Sequence, residues 1–151
     1  MSERSLKIDR IENGIVIDHI KAGNSMKIYN YLHLAELDCT VAIIKNVKSG
    51  KHGFKDLIKI ENNLNIDLDV LGYLDPNVTI NIISGGAITN KKSLKLPKSI
   101  KNVVKCKNPR CICSIEQELD HVFELADEKN EVYRCIYCQQ EVAKTEDRLI
   151  Y

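Results

Sequence analysis

The chain of 151 residues carries 22 Lys plus Arg against 21 Asp plus Glu, a formal net charge of +1, so no global field draws it to nucleic acid or a lipid surface. No apolar run is long enough to cross a bilayer, and no apolar signal segment opens the chain; the expected location is cytoplasmic, where structural disulfides are rare. Trp is absent and Phe occurs twice, which leaves Ile, Leu and Val to build the core.

After a polar start, Gly14-Ile-Val-Ile-Asp-His-Ile20 is short, β-branched and bounded by glycines, as a strand requires. Asn24 and Ser25 offer N-caps for a helix whose apolar positions Ile28, Tyr31, Leu32 and Ala35 recur at helical spacing, with an end expected near Asp38. Cys39 to Ile44 and Phe54 to Ile60 read as a hairpin around the turn Ser49-Gly-Lys-His-Gly53. Asn65 or Asp67 caps a second helix through Leu68, Leu71 and Leu74, which Asp75-Pro76-Asn77 stops. Val78 to Ile83 is a further strand, and Gly85-Gly86 turns it into the weaker strand at Ala87-Ile-Thr89. The order predicts an α+β fold: a ferredoxin-like βαββαβ sandwich with an extra strand, two helices covering one sheet face and leaving the other free. A boundary is expected at Leu96-Pro97-Lys98, dividing residues 1–97 from 98–151.

The second part contains Cys106-Lys-Asn-Pro-Arg-Cys111 and Cys135-Ile-Tyr-Cys138. Two such pairs at this separation predict one structural Zn²⁺ held by Cys106, Cys111, Cys135 and Cys138, since four thiolates fill the tetrahedron and leave no water to activate. Strands at His121 to Leu125 and Glu131 to Arg134 put each pair on a turn, making a small all-β, zinc-ribbon-like domain. Metal also supplies the stability that a core of about fifty residues lacks. Cys113 is a second candidate ligand two residues from Cys111, and Cys39 reads as a small buried core residue.

No acidic residue occurs from Pro76 through Ile115, whereas eight Lys and Arg residues crowd the interval from Lys91 to Arg110. A zinc-ribbon nucleic-acid-binding protein is the alternative this run supports, although the near-neutral charge and scarce aromatics oppose it. Asp18-His19 lacks an attached nucleophile, which weakens a hydrolase reading; adjacent strand residues point to opposite faces, giving an exposed Asp and a partly buried His. Lys55 and Lys59 place cations in an apolar strand, and Asn81 is an amide that needs a partner. No G-x-x-x-x-G-K-[ST] loop is present.

Gly14-Ile-Val-Ile-Asp-His-Ile20, Gly53-Phe-Lys-Asp-Leu-Ile-Lys-Ile-Glu-Asn62, Val78-Thr-Ile-Asn-Ile-Ile83 and the four cysteines, in this order, resemble the regulatory chain of aspartate carbamoyltransferase. The resemblance implies no catalysis by this polypeptide, an effector-binding domain over 1–97 and a zinc domain over 98–151 that docks on the catalytic chain. It implies nucleotide effectors CTP, ATP and UTP, with phosphates held by Lys59 and Lys91 and assisted by His19. The ribose would lie near Asp18 and Lys59, and the base against Ile8, Asp9, Arg10 and Ile11; Asn81, Ile83 and Ile88 match further contact positions. The implied assembly pairs regulatory chains into homodimers, three of which bridge two catalytic trimers in a heterododecamer, with neither nucleic acid nor membrane as a partner. Arg10, Gly86 and Cys113 depart from the family pattern as matched here.

Overall fold

In a computed structural model of the chain, residues 10–50, 53–63, 65–143 and 150 are described. Two compact units divide the chain: Met1–Ile66 with Asn77–Ser93, and Asp67–Pro76 with Leu94–Tyr151.

The first unit is a five-stranded antiparallel sheet of β1 (Gly14–Lys21), β2 (Val41–Ser49), β3 (Gly53–Ile60), β4 (Thr79–Ser84) and β5 (Ala87–Ser93), in the order β2-β3-β1-β4-β5. Alternation in the sequence fixes its two faces. Ile17 pairs with Ile58 on one side and Ile80 on the other, and all three are buried together with Ile15, Ile20 and Ile60. Helix α1 (Ser25–Tyr31) packs on β3 and contributes the fully buried Ile28. Burial of each such side chain contributes about 1.5–3 kcal/mol. The opposite face carries Val16, Asp18, Lys55, Lys59, Asn81 and Ile83, all half-buried.

The helix expected to run to Asp38 stops early. α1 ends at Tyr31, His33 adopts a left-handed φ of 53°, and a 3₁₀ turn at Leu34–Glu36 follows. This break turns Leu34 into the core and leaves Ala35 exposed, which the assumed continuous 3.6-residue period reverses. Cys39 precedes β2 and is half-buried, beside an apolar groove, so it is not the buried core residue expected.

Gly85 and Gly86 have φ of 61° and 79°, the two positive values that a two-residue turn joining right-twisted strands needs. The loop they form is tied to the segment before β1: the Gly86 N–H donates to the Glu12 carbonyl at 2.9 Å, and the Gly85 N–H to Asn13 Oδ1 at 3.2 Å.

The second unit contains α2 (Leu68–Leu74), α3 (Ile112–Ile115) and the four-stranded antiparallel sheet β6 (Ser99–Lys101), β7 (Val122–Asp127), β8 (Val132–Cys135) and β9 (Glu141–Ala143), in sequential order. Asp67 caps α2, its Oδ1 accepting from the N–H groups of Asp69 at 3.1 Å and Val70 at 3.3 Å. The helix is read in the sequence as part of the first sandwich, yet it groups with the second unit. A Cβ added to Gly72 would lie 2.4 Å from the Lys95 carbonyl oxygen, so only glycine permits this approach. The Tyr73 ring meets Tyr133 edge-on at 5.0 Å, and the buried Tyr133 hydroxyl donates to the Pro97 carbonyl at 2.6 Å. Phe123, Tyr133, Val103, Val104 and Val142 complete this core. α3 and β9 are absent from the sequence reading, being one turn and three residues long.

Candidate metal centre and effector face

Two turns of the second unit bring the cysteines together. Cys111 is the N-cap of α3, and its N–H donates to the Asn108 carbonyl at 3.1 Å, closing the loop from Cys106. Cys135 ends β8, and the Gln139 N–H returns to its carbonyl at 3.0 Å with Gln139 at a φ of 65°. The Sγ atoms of Cys106, Cys111, Cys135 and Cys138 all lie within 4.8 Å of one another. Cys106 and Cys138 are 3.6 Å apart, and Cys111 and Cys135 are 3.7 Å apart. Four sulfurs at about 2.3 Å from a tetrahedral Zn²⁺ would be separated by about 3.8 Å. The donor set therefore fits zinc in kind and in spacing.

Electrostatics point the same way. Burial pushes the Cys106 thiol up to about 12. Burial also opposes ionisation of Cys111, but hydrogen bonds from the Cys113 backbone and thiol and from Cys138 and Cys135 outweigh it and lower that group to about 7. The protein's own groups thus favour the thiolate at Cys111 and oppose it at Cys106, and a bound divalent cation would deprotonate the full set. His121 supports the site from outside, its Nδ1 accepting the Cys106 N–H at 3.2 Å. Cys113 is buried, with its Sγ 3.3 Å from that of Cys111 and 4.0 Å from that of Cys135.

The second constellation lies on the open face of the five-stranded sheet. Lys59 pairs with Val16, Val16 with Asn81, and Asn81 with Lys91. One row across β3, β1, β4 and β5 thus carries a lysine at each end and the amide between them. With strands about 4.8 Å apart, the lysine backbones are about 14 Å apart. Ile83 pairs with Gly14 and with the exposed Ile88, adding apolar surface beside the row. Asn81 Oδ1 is buried without a hydrogen-bond partner.

Asp18 and His19 stand at a bulge, where the register of β1 against β3 shifts between Ile17 and Ile20 and His19 has a φ of 58°. A bulge re-aims side chains, so simple alternation does not hold. His19 is the exposed member of the pair and Asp18 the half-buried one, reversing the expectation. The Asp18 carboxylate accepts the His19 N–H at 2.7 Å and pairs with the Lys55 ammonium at 2.8 Å; the His19 ring nitrogen Nδ1 is 4.0 Å from Asp18 Oδ2. Burial would raise the Asp18 carboxyl, but the bonds from Lys55 and His19 hold it below its usual value. Arg10 is exposed and Ile11 half-buried; Ile8 and Asp9 lie outside the described residues.

Two contributions escaped the sequence reading. Lys55 is recognised there as a cation, but not as the partner of Asp18. Asp56 is fully buried and binds the N–H groups of Gly23 at 3.1 Å, Ser25 at 3.3 Å and Asn46 at 3.0 Å. Its signal was available: Asp56 shares the strand period of Ile58 and Ile60, so its carboxylate enters the core and needs donors.

A family model described as "Aspartate carbamoyltransferase regulatory chain, allosteric domain" matches residues 6–95, and one described as "Aspartate carbamoyltransferase regulatory chain, metal binding domain" matches residues 98–148. The chain belongs to the aspartate carbamoyltransferase regulatory chain family. Relatives bearing that name include those of Clostridium acetobutylicum, 53% identical over 89% of this chain and 92% of the relative, and Clostridium botulinum, 55% identical over the same shares. That of Bifidobacterium longum is 40% identical over 90% of this chain and 98% of its own. As an aspartate carbamoyltransferase regulatory chain the polypeptide is a non-catalytic subunit with catalytic chains as partners, and the hydrolase reading of Asp18 and His19 falls away. The cysteine cluster falls within the segment matched as metal-binding and fits one structural zinc. Among the described residues, no helix is long and apolar enough to cross a membrane.

Proposed function

We propose that the open sheet face is the effector site and that it takes a nucleoside triphosphate. The observation that carries this is the row Lys59–Val16–Asn81–Lys91. Two ammonium groups converge from its ends on a polyphosphate, with His19 adding a donor near them. Asn81 Oδ1, buried and without a partner, accepts from a donor group of the ligand, which removes the cost of leaving it orphaned. Asp18, kept ionised by Lys55, accepts from ribose hydroxyls. Arg10 and Ile11, together with Ile8 and Asp9, border the base, and Ile83 and Ile88 provide apolar contact.

CTP, ATP and UTP share the triphosphate and ribose, so all three are candidate effectors. Binding changes activity only through unequal affinity for the quaternary states of the holoenzyme. In this reading residues 1–97 form the effector domain and 98–151 the zinc domain, a division supported by the limits of the two family matches. Regulatory chains pair through the first unit, supported by the apolar groove of about 500 Å³ beside edge strand β2, lined by Met26, Tyr29, Leu34, Leu37 and Ile43 among others. Three such dimers join two catalytic trimers in the cytoplasm.

Calorimetric titration of the zinc-loaded chain with CTP, ATP and UTP, with Lys59→Ala beside it, tests the site. Saturable binding that Lys59→Ala weakens at least tenfold is expected. Binding that survives both Lys59→Ala and Lys91→Ala unchanged would place the ligand elsewhere.

A further inference from the structure

Cys113, a fifth cysteine at the metal centre and itself buried, is not one of the four grouped sulfurs. Cys113 lies 3.3 Å from Cys111, closer than the 3.6 and 3.7 Å that separate the paired ligands. It is also 4.0 Å from Cys135, close to the 3.7 Å at which Cys111 stands from the same atom. Cys111 and Cys113 therefore crowd one corner of the tetrahedron from two adjacent positions. A residue serving only to fill space needs no sulfur, and a small apolar side chain would pack there as well. Both thiols are almost fully buried, so neither is placed to meet a reagent from solution. Both have other sulfurs as close side-chain neighbours.

Resting on the reading of the cluster as a zinc site, we propose that Cys113 is a reserve ligand that takes the place of Cys111 on the metal. In the exchange the bond from the metal to the Cys111 sulfur breaks and a bond to the Cys113 sulfur forms. The proton on Cys113 passes to Cys111 across the short contact between them. The ion keeps its oxidation state and four thiolates, so charge is conserved and no oxidant is required. The two sulfurs belong to different positions of α3: Cys111 is its N-cap and Cys113 its second residue. Exchange consequently shifts α3, whose Ile112 and Ile115 are exposed, and couples the choice of ligand to the surface this helix presents.

The exchange is selective for one corner. Cys113 stands beside Cys111 and Cys135, whereas Cys106 pairs with Cys138 at 3.6 Å, and only loss of Cys111 should be repaired. The test uses the full chain loaded with Co²⁺, whose thiolate-to-metal charge-transfer absorption grows with the number of bound thiolates. Cys113→Ser should match the wild type, because four ligands remain. Cys111→Ser should retain the four-thiolate spectrum, while Cys106→Ser and the double variant Cys111→Ser/Cys113→Ser should fall to that of three thiolates or fewer. If Cys111→Ser gives the spectrum of the double variant, or fails to take up cobalt, the reserve-ligand proposal is wrong. If the wild-type chain itself binds no cobalt through thiolates, the metal-site reading fails and takes the proposal with it.

Discussion

The Lys55 ammonium lies 2.8 Å from the Asp18 carboxylate, joining β3 to the bulge of β1 on the face that carries Lys59, Asn81 and Lys91. Each partner is about one-fifth exposed at its side chain, so the pair is shielded without being dry. Its role is to keep one anion fixed among several cations. Lys55→Ala should leave the fold intact and raise the Asp18 pKa, since the cation that opposes the burial penalty is gone. NMR titration of the Asp18 carboxyl checks this; an unchanged value would show that the His19 N–H suffices.

Asn81 separates binding from stability. Its buried Oδ1 lacks a partner in the free chain, so Asn81→Leu removes an unsatisfied polar group on a half-buried face. The variant should be as stable as the wild type, or more so by about 1 kcal/mol, while its nucleotide affinity falls. Urea unfolding and calorimetry on the same samples test both halves. Loss of stability equal to the loss of affinity would mean that Asn81 serves the fold.

Asp56 shows the opposite balance. Its burial would raise the carboxyl, yet bonds donated by Ser25, Asn46 and Gly23 hold it below the ordinary value. A depressed folded-state pKa contributes stability that is fully present above the unfolded pKa and lost as pH falls through the folded one. Asp56→Ala strands three N–H groups and should cost on the order of 3 kcal/mol at neutral pH. The gap between variant and wild type should narrow as the pH falls below about 4. Unfolding curves at several acidic pH values measure it; a gap independent of pH would mean the loss is one of packing.

The sheet was legible because its strands are short β-branched runs bounded by turn residues, and because Ile58, Ile60 and Ile80 alternate with Lys59, Thr79 and Asn81, a period of two that leaves little freedom of register. The cysteine spacing announced the metal site for the same kind of reason: two turns, four sulfurs, one ion. Local backbone departures were not legible. His19 and His33 both take positive φ, and neither has the glycine that would signal it; one lies at the bulge of β1 beside Asp18 and the other follows the end of α1. Nor did sequence order reveal that α2, which lies between two strands of the first sheet in the chain, groups with the second unit. That depends on the close approach at Gly72 and the ring contact of Tyr73 with Tyr133, both long-range relations.

Removing zinc with a mercurial therefore has a specific expected pattern. Amides of β6 to β9 should lose exchange protection, because the four clustered thiols without a cation no longer hold the two turns together. The amides of α2, from Leu68 to Leu74, should lose protection with them, since the helix belongs to that unit. Strands β1 and β3 should stay protected. Hydrogen exchange with and without metal tests this, and persistent protection of α2 would mean that the helix draws its stability from the first unit.

The second unit also exposes apolar side chains on its ligand-bearing turns. Ile112 and Ile115 on α3, and Ile136 and Tyr137 between the last two cysteine ligands, are exposed in the free chain, Ile115 at 62% and Ile112 at 52%. Four large apolar side chains on the two ligand-bearing turns are costly to leave in water, and an interface that covers them recovers about 1.5–3 kcal/mol for each aliphatic side chain fully buried. If these side chains dock, an ion bound by the four cysteines would steady the turns that carry them. Ile115→Asp should weaken association with catalytic subunits by roughly tenfold or more while leaving metal content and exchange protection as in the wild type. Sedimentation of mixtures with catalytic subunits measures the first, and metal analysis the second. Full association by Ile112→Asp/Ile115→Asp, with zinc retained, would move the docking surface away from α3.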